Sequence, residues 1–343
     1  MRHFIEKGFR THCLPYFSGK ESHRHINVPL FKLYLKSFSR PTFPNPFREV
    51  HTYLSFIGFA RSGHSLVGSI VDAHPEAMIS HELDTLGLIE EGFSQRRIFQ
   101  LIKQNSEAFS QNGRYWNGYC YEIPAKSFPK KPSYKVIGDK KGDVTTLRLN
   151  QEPQLLDRFQ KCIKTQQKWI FVQRHPFDNI STLALRRNPG FDKNRIQGNA
   201  APITHHSHND AEFSAILDQE ISSYFKASDT IQATKAKIPA HLWHEIQLET
   251  LIAQPQQELT RLFDFLKLPI DAPFLKDCQT LLRPTPSQTR TLAPWSPKQI
   301  AQVQTEIKKR PEFQWATQRC LKGAASLCEN APTNHLERES GFY

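Results

Sequence analysis

The chain has 343 residues, 38% hydrophobic and 23% charged, with 45 Lys and Arg against 33 Asp and Glu for a formal net charge of +12. Such a length holds one large domain or two ordinary ones, with a core that needs no disulfide staples. The positive balance favours anionic partners, which leaves nucleic acid, a membrane surface and a polyanionic small ligand all open. The six cysteines (Cys13, Cys120, Cys162, Cys278, Cys320 and Cys328) form no CxxC pairs, so zinc-ligand spacing is absent and reduced thiols are expected. No apolar run approaches a membrane span and the N-terminus lacks a hydrophobic signal core, so no transmembrane segment and a cytoplasmic location are expected.

In chain order, residues 1–50 read as a basic, aromatic-rich extension. Phe31, Leu35 and Phe38 share a helical face there, with Lys32 and Lys36 turned away, so a short amphipathic helix is expected, packed on the main domain or lying on a membrane surface. Pro41, Pro44 and Pro46 stiffen the approach to the first strand. Tyr53 to Ile57 is a β-prone run, Gly58 to Gly63 a glycine-bounded turn, and Ser65 to Ala73 carries Leu66, Val67, Ile70 and Val71 at helical spacing. A loop between strand and helix aims its N–H groups and the positive end of the helix dipole at one point, which suits a phosphate or sulfate. Gly58-Phe59-Ala60-Arg61-Ser62-Gly63-His64-Ser65 has the spacing of the nucleotide-triphosphate loop GxxxxGK[ST], but His64 stands where that loop requires lysine. The missing lysine argues against ATP or GTP beside magnesium. Arg61 supplies a cation instead, in a planar fork suited to a tetrahedral oxyanion.

The run continues through Asp72-Ala73-His74-Pro75-Glu76 to His81-Glu82. Taken together, the segment resembles the 5′-phosphosulfate loop of sulfotransferases that use 3′-phosphoadenosine 5′-phosphosulfate (PAPS), in its RSG-type form. The resemblance implies an α/β P-loop fold with a central parallel sheet flanked by helices, PAPS as co-substrate and no metal. It implies that Arg61, Ser62, Gly63, His64 and Ser65 hold the 5′ end of the donor and that Arg61 steadies the leaving phosphate. Glu82 follows the loop helix where it could take the acceptor proton, with His64 and His81 as alternative bases.

Beyond Glu82, the apolar set Leu86, Leu88, Ile89, Phe93, Ile98, Phe99, Leu101 and Ile102 predicts helices. Residues 111–132 read as irregular and aromatic, with Tyr115, Trp116, Tyr119, Tyr121 and Phe128 forming either an acceptor wall or a folded loop. Tyr134 to Gly142 is a strand ending in a polar turn; it is similar to the family's GDK turn, which places Lys140 against the sulfuryl group with Lys141 as the substitute. A helix is expected from about Gln154 to Thr165. Lys168 to Gln173 is a near-continuous apolar strand, as for the centre of a parallel sheet.

That strand leads into Arg174-His175-Pro176-Phe177-Asp178-Asn179-Ile180-Ser181-Thr182, which resembles the family's 3′-phosphate site. The family's arginine-to-hydroxyl spacing would place the hydroxyl at Thr182, with Ser181 beside it, and both stay open; Arg186 lies one turn further on the same face and resembles a further phosphate-binding arginine of some branches. Asn188 to Asp210 is a polar insert with His205-His206-Ser207-His208, read as a lid rather than a metal site. Glu212 to Ala236 predicts a long helix, Trp243 to Glu249 a strand and Pro255 to Leu266 a helix. The stretch from Leu248 to Leu268 is similar to a structural segment of sulfotransferases. In a late loop, Ser287 and Arg290 are weaker candidates for closing over the donor.

These readings define a basic extension over 1–50, a sulfotransferase-like domain over 51–323 and a polar tail over 324–343. The implied activity is sulfuryl transfer from PAPS to a hydroxyl or amine. The acceptor stays open among a glycan, a small alcohol, a phenol, a lipid and a protein tyrosine; no nucleic-acid partner is expected. The alternatives are an atypical P-loop kinase, for which Asp139 is the one candidate magnesium ligand, and a basic nucleic-acid or membrane-surface binder.

Overall fold

Every residue of Thr52–Gly58 (β1) is buried, the signature of a strand covered on both faces. In the computed structural model, which describes residues 8–10, 27–29, 35–38, 45–123, 132–188 and 210–317, β1 lies at the centre of a 5-stranded sheet. Its companions are β2 (Ala77–His81), β3 (Val136–Lys140), β4 (Gln166–Gln173) and β5 (Trp243–Gln247). All pairings in this sheet are parallel and the order is β2-β3-β1-β4-β5.

Alternation along β1 divides the core in two. Tyr53 and Ile57 face one side, with Phe99 of α3 (Gln95–Gln111), Phe159 of α5 (Leu155–Cys162), Ile180 of α6 (Pro176–Arg187) and Leu217 of α7 (Asp210–Lys235). Leu54 and Phe56 face the other, with Val67 and Ile70 of α1 (His64–Ala73), Leu262 and Phe263 of α9 (Pro255–Leu266), and Phe274 of α10 (Ala272–Gln279). Further helices are α2 (Thr85–Glu90), α4 (Gly142–Gln151), α8 (Leu248–Ala253) and α11 (Pro297–Lys309). Helices on both faces of a parallel sheet make this the α/β architecture expected from the sequence.

The chain goes from β1 to the edge at β2, returns through β3, then crosses to β4 and β5. Strands on the two sides of β1 therefore depart in opposite directions, which opens a crevice at its carboxyl end. Because all strands run the same way, the residues that follow them share one rim: Arg61 after β1, Glu82 after β2, Lys140 closing β3, Arg174 after β4 and Leu248 after β5.

Some boundaries differ from the sequence reading. The strand expected to Glu249 ends at Gln247, where the chain turns into α8. The helix expected to Thr165 ends at Cys162, because Ile163 turns extended to enter β4. The aromatic stretch contains a hairpin, Tyr115–Trp116 against Tyr119–Cys120, closed by Asn117 and Gly118 at φ 52° and 82°. Most of the extension, Phe128, the His205–His208 insert and the tail lie outside the described residues. Among the described residues, no helix is long and apolar enough to cross a membrane.

Candidate active site

The loop after β1 is shaped by backbone that favours glycine. Gly58 and Gly63 take φ 149° and 112°, and a Cβ on Gly58 would meet His64 Nε2 at 2.7 Å. The His64 ring occupies the space left open by Gly58 and Gly142, with Ser62 Oγ 3.3 Å from Nε2. Burial drives its pKa down to about 4 against the pull of Asp143, so at neutral pH it is an uncharged ring in the cavity wall. Ser62 itself is fully buried. Arg61 adopts φ 66°, a left-handed conformation that costs an L-residue energy and is held by its surroundings. From the far side, Asn179 Nδ2 donates to Ala60 O at 2.8 Å, and Thr146 Oγ1 bonds both the N–H (3.0 Å) and the carbonyl (2.8 Å) of Gly58.

Glu82 sits at a second positive φ, 62°, just past β2. Its turn is pinned by Asp139, whose carboxylate accepts from Leu83 N (2.9 Å), Thr85 N (2.9 Å) and Ser80 Oγ (2.8 Å). Both oxygens of Asp139 are thus taken by protein donors and Asp139 does not line the cavity, so the kinase alternative loses its candidate magnesium ligand. Lys140 Nζ lies 2.7 Å from Glu82 Oε1 and 2.9 Å from Ser65 Oγ, while Lys141 Nζ lies 3.0 Å from Glu82 Oε2. The expected lysine, its substitute and the expected base therefore meet in one triad at the start of the loop helix. His81 stacks on Phe109 at 4.0 Å; burial, with Lys140 adding to it, pushes its pKa well below the ordinary value.

A second cationic group forms past β4. Arg174 is buried and donates to Thr182 Oγ1 (2.9 Å), Ser287 O (2.9 Å) and Thr289 Oγ1 (3.0 Å). Thr182, in the second turn of α6, lines the cavity, whereas Ser181 Oγ accepts from Trp295 Nε1 at 3.1 Å and faces away. The pKa of Arg186 is lowered by burial and then by Arg61. Arg290 does not join them: its guanidinium is spent on Asp178, with Nη2 to Oδ2 at 2.6 Å and Nε to Oδ1 at 3.0 Å, which braces the late loop against α6.

Both groups open into one cavity of about 450 Å³. Its roof includes Trp116, Asn117, Tyr119 and Tyr121 from the hairpin; Leu248, Ile252 and Leu281 form a wall beyond β5, and Arg283, 5.4 Å from the Tyr119 ring centroid, lies nearby. With its amide oxygen turned inward, Asn117 accepts from Arg61 Nη1 at 3.2 Å and Trp116 Nε1 at 2.6 Å. The sequence reading did not single out Asn117, Thr289 or Arg283 as site residues. The Asn117-Gly118 dipeptide was a hairpin signal; Arg283 had none, since it sits in an irregular stretch after α10. Among the described residues, no three His, Cys, Asp or Glu side chains group so as to hold a metal ion.

Chemically, the cavity offers oriented N–H groups and Arg61 at one point, Arg174 with Thr182 at another, and a carboxylate held by lysines at the β2 end. It can take an anion with two separated charged groups and place a base beside one of them.

Among curated proteins, none matches this chain. Solved structures with a similar course include the sulfotransferase domain of the Synechococcus PCC 7002 olefin synthase, with TM-score 0.37 and 15% identity over 84% of this chain and 98% of that one. Mouse sulfotransferase SULT7A1, complexed with PAP, gives 0.40 and 12% over 81% of this chain and 90% of that one. Sulfotransferase STF9 from Mycobacterium avium gives 0.41 and 10% over 76% of each chain. The model of the Sulfotransferase family matches residues 55–272, from within β1 to the first residue of α10 and well over half of the chain. The chain belongs to the sulfotransferase family.

Proposed function

We propose that the protein transfers a sulfuryl group from PAPS to an acceptor hydroxyl or amine. The observation that carries this reading is the pair of cationic groups on one rim, Arg61 with Lys140 and Arg174 with Thr182, joined by a single cavity. Two separated anion sites suit a nucleotide charged at both its 5′ and 3′ positions, and the apolar wall of Leu248, Ile252 and Leu281 suits its base.

In this reading Arg61 and the N–H groups of Ser62 to Ser65 stabilise charge on the leaving phosphate, and Lys140 stabilises the sulfuryl oxygens. Glu82 takes the acceptor proton. The packing of the His64 ring between Gly58 and Gly142 and of His81 against Phe109, outside the cavity lining, favours Glu82 over either histidine as base; His64 instead props the loop. At the 3′ site the geometry favours Thr182 over Ser181, with Arg186 as a further cation and Arg290 acting through Asp178 as a brace. We assign the activity to residues 51–323, with 1–50 as a basic extension and 324–343 as a tail. The free thiols of Cys120, Cys162 and Cys278 favour a cytoplasmic setting.

Calorimetric titration with 3′-phosphoadenosine 5′-phosphate, beside ATP with magnesium, tests the reading. Binding of the bisphosphate without metal is expected, and Arg174→Ala is expected to weaken it at least about tenfold, the equivalent of one charge-assisted hydrogen bond. Binding of ATP alone, or of neither nucleotide, would overturn it.

A further inference from the structure

The loop after β1 lacks the lysine that GxxxxGK[ST] spacing calls for at position 64. The residue there, His64, is turned into the wall: Gly58 and Gly142 leave the room that its ring fills. A fixed charge arrives instead from the neighbouring strand. Lys140, the last residue of β3 and buried, sends its ammonium to Ser65 Oγ at 2.9 Å and to Glu82 Oε1 at 2.7 Å. Ser65 is the second residue of α1, so this charge stands at the start of the loop helix, beside the position where the lysine is missing.

A third glycine opens that route. Gly68 lies three residues after Ser65, on the same face of α1, and is buried. A Cβ at Gly68 would stand 2.6 Å from Lys140 Cγ and 3.0 Å from Lys140 Cβ. Those atoms are the part of the stem nearest the backbone, and β3 is held between β2 and β1, so they cannot swing aside as a side-chain tip could. Gly68 also sits inside a helix, where alanine is the better former. The helix has no need of glycine there; the lysine stem does.

Resting on the sulfuryl-transfer reading, we propose that Gly68 is a positioning residue for the reaction: it is the notch in α1 that seats the Lys140 stem and so sets the ammonium against the sulfuryl oxygens of the donor. Filling the notch lifts the stem off the helix and carries the charge away from Ser65. The effect falls on the sulfuryl end of the donor, because the three atoms nearest such a Cβ all belong to Lys140.

Calorimetry on the full chain, without acceptor, tests this by comparing PAPS with 3′-phosphoadenosine 5′-phosphate, which lacks the sulfuryl group. Gly68→Ala is expected to weaken PAPS at least about tenfold, as for loss of one charge-assisted hydrogen bond, and to leave the bisphosphate within about twofold. Lys140→Ala is expected to show the same selective loss. Adding Gly68→Ala to Lys140→Ala is expected to change PAPS affinity no further, because the notch then has no stem to seat. Equal weakening of both nucleotides by Gly68→Ala, no weakening of PAPS, or a further loss in the pair would overturn the proposal and leave the donor reading standing. Should Gly68→Ala alone not fold, the pair, relieved of the stem, is expected to fold, and a pair that stays unfolded also overturns it. Wild-type chain that binds neither nucleotide would instead overturn the donor reading, and this proposal with it.

Discussion

Arg174 is a buried cation whose hydrogen bonds go to neutral oxygens, those of Thr182, Ser287 and Thr289. Burial lowers its pKa, with Asp178 and Glu249 pulling the other way. Thr182→Val removes the cavity-lining hydroxyl beside Arg174 that the proposed reading sets against the 3′-phosphate, so bisphosphate binding is expected to weaken by about 1–3 kcal/mol in a calorimetric titration. Ser181→Ala, facing Trp295, is expected to leave the affinity within a factor of two or so. Glu82→Gln keeps the shape of the lysine triad without the base and is expected to lower kcat by ~10²–10⁴ with donor affinity retained. Initial-rate kinetics separate the two effects.

The buried histidines set a pH limit. His64 and His244 both have pKa values lowered to about 4, chiefly by burial. A histidine whose folded pKa lies below its unfolded value of about 6.5 contributes full stability above 6.5. As pH falls toward 4 the unfolded chain takes up a proton that the folded chain refuses, costing about 1.4 kcal/mol per pH unit for each such group. Tm is therefore expected to be flat above pH 6.5 and to drop steadily between 6.5 and 4 in a thermal-melt series.

At the scale of elements, the hairpin is tied to the loop helix by a buried ion pair. Asp72, near the end of α1, accepts from Arg114 Nη1 at 2.8 Å, from Ile79 N at 2.7 Å and from Ser106 Oγ at 3.1 Å. Arg114, at the hairpin's foot, also donates through Nε to Tyr121 O at 3.2 Å. The aromatic roof, which follows α3 in the chain, is in this way pinned to the helix that follows the loop after β1. Arg114→Ala strands the Asp72 carboxylate in the core and is expected to cost about 3–5 kcal/mol, read as a shift in the denaturation midpoint. Asp72 and Arg114 were legible in the sequence as residue types but not as a pair, because a separation of 42 positions carries no spacing signal.

The loop after β1 was legible for the opposite reason: its glycines, its arginine and the helix that follows are local, and local chemistry survives in one dimension. The interval from Arg174 to Thr182 was legible through the family's spacing, with Ser181 left open beside it. What stayed hidden is direction. Nothing in a string of letters says that Arg290 turns to Asp178, that Ser181 turns to Trp295, or that Asn117 faces Arg61.

For the whole molecule, the parallel sheet does the positioning. Glu82, Lys140, Arg61 and Arg174 come from four strand ends, and one rim gathers them because all five strands point the same way. The family match stops at residue 272, yet two of the oxygens that receive Arg174 belong to Ser287 and Thr289. The unit that works is therefore longer than the unit that defines the lineage. A chain cut after Ala272 would keep the sheet and the loop but leave a charged side chain in the interior without its clasp, and under the proposed function the same clasp ties occupancy of the 3′ site to the security of the C-terminal third. Limited proteolysis should register that dependence, with cleavage between residues 280 and 300 slowing as the bisphosphate is added.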